Sequence, residues 1–401
     1  MKVTMENGNS KVTVGLCVYN GEQHGLRRSI ESILRQDHRN LELIISDNAS
    51  NDGTPVICRE FAQKDTRVRY VRNETNLGAR KNSYRVLNMC TTEYFKWAEH
   101  GDCHEPAYIS SCLRKMQEDP SIVLCYPRTR AINENGTMEI ANDRIDAMDD
   151  SPVNRYLRVI SDLCYCNAIY GLYRTSVARS LKIYETECRG PDVVMLAEIA
   201  LAGKIAQLDE VLYVTYRDSK WSQNIEEQTR RLNEMLDPAR SRQGITFPFC
   251  NMIREHLDRV RFADLSETDK VFLAGQTLKI LGSKYYPRMR DEIKRAIELI
   301  HQHRLDHNWG DPTDGSVCRL DPKKQAMYYY YCAEILKRFE EVICVCPQFD
   351  EPGLHYARSI CLTTMGRFNE AVTALRMELA RFPGYERAQR QLSAIEQVLA
   401  R

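Results

Sequence analysis

Eight residues near the start of the chain, Asp47-Asn48-Ala49-Ser50-Asn51-Asp52-Gly53-Thr54, hold its densest set of ligand-recognising groups. They follow the apolar run Leu41–Ile45, which reads as a buried strand. They lead into Thr54-Pro55, an N-cap with proline in the first helical turn. Asp47 is therefore delivered at the carboxyl end of a strand, where open α/β sheets bind their ligands. A carboxylate there suits a nucleotide, because it can accept hydrogen bonds from a base N–H or from ribose hydroxyls. Asp52, within the same turn, reads instead as a turn and N-cap residue.

The elements that must position this motif are legible around it. Residues 12–126 alternate strand-like and helix-like segments, the signature of repeated βα units and a mainly parallel sheet. Strands are predicted at Val12–Val18, Leu41–Ile45, Val68–Val71, Tyr94–Ala98 and Ile122–Tyr126. Leu26, Ile30, Ile33 and Leu34 make one face of a helix. Further helices are predicted at Pro55–Gln63, from Ala79 to about Cys90, and after Pro106. Asn135-Gly136 signals a hairpin turn, and residues 140–155 read as a polar, acidic, mobile loop. Asn167–Ser180 and Pro191–Gly203 return to apolar periodicity, the latter apolar on most of its surface.

From about residue 222 the pattern becomes helical, broken by a polar loop at His307–Pro322. Gly366, Ala371 and Pro383 stand at the offsets of a tetratricopeptide repeat, with Leu375 at its large apolar position and Pro347 about one repeat earlier. Any helical hairpin can produce that match, so the helical character is the firmer expectation.

Bulk properties set the frame. A chain of 401 residues exceeds one ordinary core, which predicts a domain at 1–221 and a helical domain at 222–401, tetratricopeptide-like at 325–401. The formal charge is +1, from 56 basic and 55 acidic residues, favouring neither nucleic acid nor an acidic surface as partner. No run of apolar residues is long enough to span a membrane, and Met1–Ser10 lacks the pattern of a signal peptide. The fifteen cysteines are scattered. Most read as small core hydrophobes, the pairs at Cys164-Tyr165-Cys166 and Cys344-Val345-Cys346 lack zinc-site spacing, and reduced thiols in the cytoplasm are expected.

Four collinear elements give the N-terminal block, roughly residues 11–220, its resemblance to a known family. They are Val14-Gly15-Leu16-Cys17-Val18-Tyr19-Asn20-Gly21-Glu22, the Asp47–Thr54 motif, Asn76-Leu77-Gly78-Ala79-Arg80-Lys81-Asn82, and Tyr94-Phe95-Lys96-Trp97-Ala98-Glu99-His100-Gly101-Asp102. Together they resemble the family 2 glycosyltransferases. The resemblance implies the GT-A nucleotide-diphospho-sugar transferase fold, a Rossmann-like mainly parallel sheet, here followed by an all-α domain. It implies transfer of a sugar from a nucleotide-sugar donor, with uridine the leading base, to a hydroxyl acceptor.

In that family Asp47 matches the base-binding aspartate, with Tyr19, Asn20 and Glu22 covering base and ribose. Arg80 or Lys81 would offset phosphate charge. Asp102, joined by Glu99 or His100, would hold Mn²⁺ or Mg²⁺ against the diphosphate. The run departs from the family where Gly101 replaces an aspartate. Gly190-Pro191-Asp192 resembles the acidic motif before the acceptor-side helix, making Asp192 the base of an inverting reaction, with helix capping as the plain alternative. The further histidine ligand of many relatives is missing between His104 and His256, and Asp218 is a substitute or a surface charge. Trp97 reads as core and His104 as loop. The implied acceptor is a saccharide, lipid-linked or protein hydroxyl, and the helical domain holds the acceptor or mediates self-association. The alternative is a catalytically weakened GT-A domain serving as a nucleotide-sugar or protein binding or scaffold module.

Overall fold

The computed structural model describes residues 10–400 except 163–165, 183–187, 189, 218–246, 307–321 and 348. The described residues fall into two compact units, one drawn from 1–186, 190–242 and 259–273, the other from 187–189, 243–258 and 274–401. The proposed boundary at 221/222, Asp218 and Cys164 lie outside the described residues.

The first unit is built on a nine-stranded sheet of order β3-β2-β1-β4-β8-β6-β9-β5, with β7 paired to β6. Its strands are β1 Val12–Val18, β2 Leu41–Asp47, β3 Val68–Arg72, β4 Tyr94–Glu99, β5 Cys103–His104, β6 Ile122–Asn133, β7 Met138–Ile140, β8 Leu172–Arg174 and β9 Lys204–Arg217. The helices between them are α1 Leu26–Leu34, α2 Thr54–Lys64, α3 Ala79–Met89, α4 Tyr108–Glu118, α5 Pro152–Asp162, α6 Thr175–Ser180 and α7 Pro191–Ala202.

The first four strands of the sheet run parallel, because right-handed α crossovers return each strand in the same direction. Their inward residues Val12, Val14, Leu16, Leu43 and Ile45 are fully buried and join α1's Leu26, Ile30 and Ile33 in one core. At about 25 cal/mol per Å² of apolar surface removed from water, this shared core is what holds the layers together. Beyond β4 the sheet becomes mixed. β8 lies antiparallel between β4 and β6, while β9 runs parallel to β6 through several irregularities.

Three features differ from the sequence reading. β6 extends through Asn133 rather than ending at Tyr126, since its outer half pairs with β9 and with β7 across the Asn135-Gly136 turn. Gly136 supplies the positive φ of 78° that this turn requires. The polar stretch 140–155 is anchored rather than loose. Buried Asp143 accepts hydrogen bonds from Thr129 Oγ1 (2.8 Å), Asn167 Nδ2 (2.8 Å) and Gln207 Nε2 (3.2 Å). His104 is not a loop residue but lies buried on β5 against Tyr108 and Tyr213.

The helices α8 Pro248–Phe262, α9 Glu267–Thr277, α10 Ser283–Asp306, α11 Pro322–Val345, α12 Leu354–Thr364, α13 Phe368–Arg381 and α14 Glu386–Leu399 complete the order. Within the second unit, Ala371 and Leu375 are fully buried, and Gly366 turns the chain between α12 and α13 with φ 73°. Buried Glu378 of α13 accepts from the backbone N–H groups of Gly353 (2.7 Å), His355 (2.9 Å) and Tyr356 (3.2 Å), satisfying the open start of α12. Among the described residues, no helix is long and apolar enough to cross a membrane.

Candidate active site

The carboxyl ends of β1 and β2 carry two loops that clasp each other. Asn20 N donates to Ser50 Oγ (2.9 Å), and Asn51 N donates back to Asn20 Oδ1 (2.9 Å). Gly21 N reaches Thr54 Oγ1 at 2.8 Å, and Gly53 N reaches Glu22 Oε2 at 2.9 Å. A Cβ at position 53 would stand 2.2 Å from Glu22 Oε1, so glycine is what admits this contact. Glu22 is thus engaged in holding the loops together. Asp52 keeps to its turn, accepting from Thr54 N at 3.0 Å and from Glu22 N at 3.1 Å. Tyr19 remains 43% exposed at the rim of these loops.

Asp47 closes β2 and is fully buried. Its Oδ1 accepts from Ser50 N (2.8 Å), and its Oδ2 accepts from Tyr70 OH (2.8 Å) with Arg72 Nε 3.3 Å away. Both oxygens are therefore engaged, and a nucleobase N–H would compete with Tyr70 or Arg72 for Oδ2.

Behind Asp47 lies a web of amides, buried at Asn48, Asn73 and Asn82 and exposed at Asn76. Asn73 Nδ2 donates to Asn48 Oδ1 (2.9 Å) and Asn82 Oδ1 (3.0 Å). Asn48 Nδ2 donates to Asn76 Oδ1 (2.7 Å), and Asn82 bonds both Ser46 Oγ and the Ser46 carbonyl. The web fixes the turn before α3, whose first residues include half-buried Arg80 and exposed Lys81.

On the other flank, β4 ends at Glu99 and turns through His100, Gly101 and Asp102. Helix α1 grips this turn: Gly101 N donates to Ser29 Oγ (2.7 Å), Ser29 Oγ donates to the Asp102 carbonyl (2.7 Å), and Arg28 Nη2 donates to the Gly101 carbonyl (2.7 Å). Gly101 has φ +104°, and a Cβ there would lie 2.9 Å from the His24 carbonyl oxygen. That backbone accounts for glycine where the family pattern leads one to expect aspartate.

Glu99, His100 and Asp102 line one cavity of about 750 Å³, together with Arg28, Tyr170 and Tyr216. His100 Nδ1 lies 3.1 Å from Glu99 Oε1. Burial opposes the charge of His100, but Glu99 outweighs it and raises the imidazole above its ordinary range. Asp102 is buried. Tyr213 OH donates to its Oδ2 and Tyr216 N reaches its Oδ1 at 3.4 Å. Burial pushes its carboxyl up to about 6, with the Glu99 charge adding to the rise and Tyr213 opposing it.

Asp192 sits in the first turn of α7, after Gly190 (φ 64°) and Pro191. Burial pushes its carboxyl up to about 6. Arg80 acts against that rise and Glu99 adds to it, so both stand within electrostatic reach. Tyr170 ties the acidic groups together. Its hydroxyl donates to Glu99 Oε2 at 3.2 Å, and the charges of Glu99, Asp102 and Asp192 all reinforce the burial that raises it.

The fold therefore brings Glu99, Asp102, Asp192 and Arg80 into one neighbourhood around Tyr170. Tyr19, Asn20, Glu22 and Asp47 are grouped separately on the β1–β2 side and do not line the 750 Å³ cavity. The sequence reading missed Tyr170 and Tyr213, which hold the acidic side chains. The period-2 run Val211, Tyr213, Thr215 was the available signal for β9. Trp97 is core, packed edge-on between Phe95 and Tyr173.

The oxygen-rich donor set fits a hard divalent cation: two carboxylates pushed up to about 6 within a single acidic neighbourhood would be relieved by positive charge. Among the described residues no three His, Cys, Asp or Glu side chains stand as a complete ligand cage. Ligands from a bound diphosphate would have to complete one, as Mg²⁺ sites commonly require.

A sheet parallel through β3-β2-β1-β4 and mixed beyond it, with interlocked loops after β1 and β2 and an acidic turn after β4, defines a GT-A domain. Residues 13–177 match the family model described as glycosyl transferase family 2, and the N-terminal domain is a family 2 glycosyltransferase domain. The chain is 32% identical over 111 residues to the glycosyltransferase GlyA of Streptococcus pneumoniae, covering 27% of this chain and 16% of GlyA. It is 29% identical over 128 residues to an uncharacterized glycosyltransferase, MJ1057, of Methanocaldococcus jannaschii, covering 32% and 44% of the two. The match thus spans less than half the length of either relative. The fold is similar to that of TarS residues 1–349 of S. aureus, solved with UDP-GlcNAc, with a TM-score of 0.54, 18% identity and 90% of each chain covered.

Proposed function

We propose that this protein transfers a sugar from a uridine diphosphate sugar to an acceptor hydroxyl with inversion at the anomeric carbon. The observation that carries this reading is the gathering of Glu99, Asp102 and Asp192 around Tyr170, with Arg80 beside Asp192. Asp47, Tyr19 and Asn20 would receive the nucleoside, and Glu22 would keep their two loops clasped. Arg80 and Lys81, at the start of α3, would offset diphosphate charge together with the helix terminus.

Asp192 is the base. A carboxyl near 6 is ionised at neutral pH yet basic enough to accept a proton as the hydroxyl attacks. The new bond forms between the acceptor oxygen and the anomeric carbon as the bond from that carbon to the β-phosphate oxygen breaks. The hydroxyl proton passes to Asp192, and the nucleoside diphosphate leaves with the bonding pair. Asp102 and Glu99, with His100 adjacent, would hold Mn²⁺ or Mg²⁺. Such an ion supplies Lewis-acid stabilisation of the diphosphate leaving group. Tyr213 and Tyr170 orient those two carboxylates from behind.

The solved complex of TarS with UDP-GlcNAc supports a uridine donor. The helical second unit is read as an acceptor-holding or self-association module, tetratricopeptide-like over 325–401. The decisive experiment is calorimetry with UDP and GDP, with and without Mn²⁺, followed by donor-hydrolysis and transfer assays over a panel of nucleotide sugars. Micromolar UDP binding and turnover of one donor are expected. A chain that binds and turns over none of them refutes the reading.

A further inference from the structure

Lys96 is the least expected residue in the core: it sits mid-strand in β4 and is 1% exposed. Among the described residues it makes no ion pair with a carboxylate. Its ammonium donates instead to the carbonyls of Tyr170 and, at 3.3 Å, Trp97. It also stands 4.2 Å from the centre of the Tyr108 ring and 5.5 Å from that of Tyr213. Tyr108 OH donates to the same Tyr170 carbonyl at 2.8 Å, and the His104 ring packs against both Tyr108 and Tyr213. The lysine is thus caged by aromatic rings and backbone carbonyls, a setting in which a cation is held by ring quadrupoles and dipoles.

Burying an ammonium is costly, and a hydrocarbon side chain of similar volume would fill the same space without that cost. What the charge contributes is direction. The two tyrosines Lys96 holds are those whose hydroxyls donate to the acidic turn, Tyr170 to Glu99 and Tyr213 to Asp102. Burial pulls the ammonium down to about 7, and Cys112 and Asp102 act against that fall, so Asp102 stands within electrostatic reach of the lysine.

We propose that Lys96 is a positioning residue for the acidic pair Glu99 and Asp102, acting through Tyr170 and Tyr213. This rests on the reading of that pair as the cation-holding side of the donor site. The contacts form one chain from the strand core to the cavity wall. Lys96 fixes where two tyrosine hydroxyls point, and they fix where two carboxylates point.

The test uses the full chain with ¹³C-labelled tyrosine rings, the Tyr170 and Tyr213 signals being assigned from the Tyr170→Phe and Tyr213→Phe variants. Lys96→Met is expected to shift both signals. It is also expected to weaken Mn²⁺ binding in the presence of UDP, read from the free-ion EPR signal, by about tenfold. UDP binding in EDTA should stay within about twofold of wild type. Adding Tyr213→Phe to Lys96→Met should cost little more, because residues acting in series are not additive. Unmoved ring signals overturn the proposal, as does unchanged Mn²⁺ binding or an equal loss of UDP binding in EDTA, the mark of a merely structural role. If Lys96→Met does not fold, Tyr213→Phe alone must reproduce the weakened Mn²⁺ binding. A wild-type chain that binds UDP but no Mn²⁺ refutes the metal reading, and the ring signals then decide by themselves whether Lys96 holds the tyrosines.

Discussion

The carbonyl oxygen of His24 lies 2.9 Å from the point where a side chain at Gly101 would begin. The loop before α1 and the acidic turn after β4 therefore meet backbone to backbone. A Cβ at Gly25 would likewise stand 3.2 Å from the Gly101 Cα. The residue that departs from the family pattern is the one this contact requires.

Gly101→Asp, which restores the aspartate the family pattern leads one to expect, is accordingly predicted to harm the protein. The positive φ of 104° and the clash with His24 should cost about 1–3 kcal/mol. Thermal unfolding should move down by several degrees, and Mn²⁺ affinity in the presence of UDP should not improve. A stable Gly101→Asp variant with tighter Mn²⁺ binding would overturn this account of the turn.

Asp192→Asn removes the proposed base while preserving shape and hydrogen-bonding capacity. Turnover should fall by about 10²–10⁴-fold, the usual worth of a positioned base. The UDP dissociation constant, measured by calorimetry, should change by less than about twofold. Equal loss of binding and turnover would instead assign Asp192 to donor recognition.

Acidification should separate activity from stability. The carboxyls of Asp102 and Asp192 are both pushed up to about 6, in each case first by burial. Between about pH 4, where unfolded aspartates titrate, and pH 6, the folded chain binds more protons than the unfolded one. These two groups therefore make the fold less stable as pH rises through that window and more stable as it falls. Activity should run the other way, with kcat/KM declining below about pH 6 as Asp192 takes up its proton. A pH–rate profile and a denaturation series over the same range check both signs.

Asp47→Asn should weaken UDP binding by about ten- to a hundredfold, equivalent to roughly 1.4–2.7 kcal/mol. It replaces a carboxylate oxygen that faces Tyr70 and Arg72 with an amide donor at one of the two positions. Tyr70→Phe is the companion variant: it frees Oδ2 from one competitor and should leave UDP binding equal or tighter. Weaker binding in Tyr70→Phe would place the tyrosine itself in nucleotide recognition.

In the second unit, Glu378→Ala should leave three buried backbone N–H groups at the start of α12 without their acceptor. A loss of about 2–4 kcal/mol is expected, since each buried group left unpaired is expensive. Hydrogen exchange should speed up across Leu354–Thr364, with UDP affinity unchanged.

The parts of the site that were legible in the sequence share one property: their signals are local. The strand before Asp47, the proline after Gly190 and the acidic turn after Ala98 are each contained within about ten residues. Tyr213 and Asp102 stand 111 residues apart, and β9 was not read as a strand. Its pairing partner, β6, is irregular, and regular alternation is interrupted where the register shifts. Lys96 gave no warning either, because a lone lysine in an apolar strand carries no periodic signal and its justification is an aromatic cage assembled from β4, α4 and β9. Gly101 looked like a defect in a motif, whereas its backbone angle and its neighbour His24 make it a structural requirement.

The amide web of Asn48, Asn73, Asn76 and Asn82 gives the two sides of the site different temperaments. Amides neither titrate in the physiological range nor attract a counterion atmosphere. The frame behind the β1 and β2 loops is thus indifferent to acidity and ionic strength, while the acidic frame around Tyr170 answers to both. Acidity reaches the site through ionisable groups such as His100, Asp102, Asp192 and Lys96, while the amide frame behind the β1–β2 loops holds its shape through the same change.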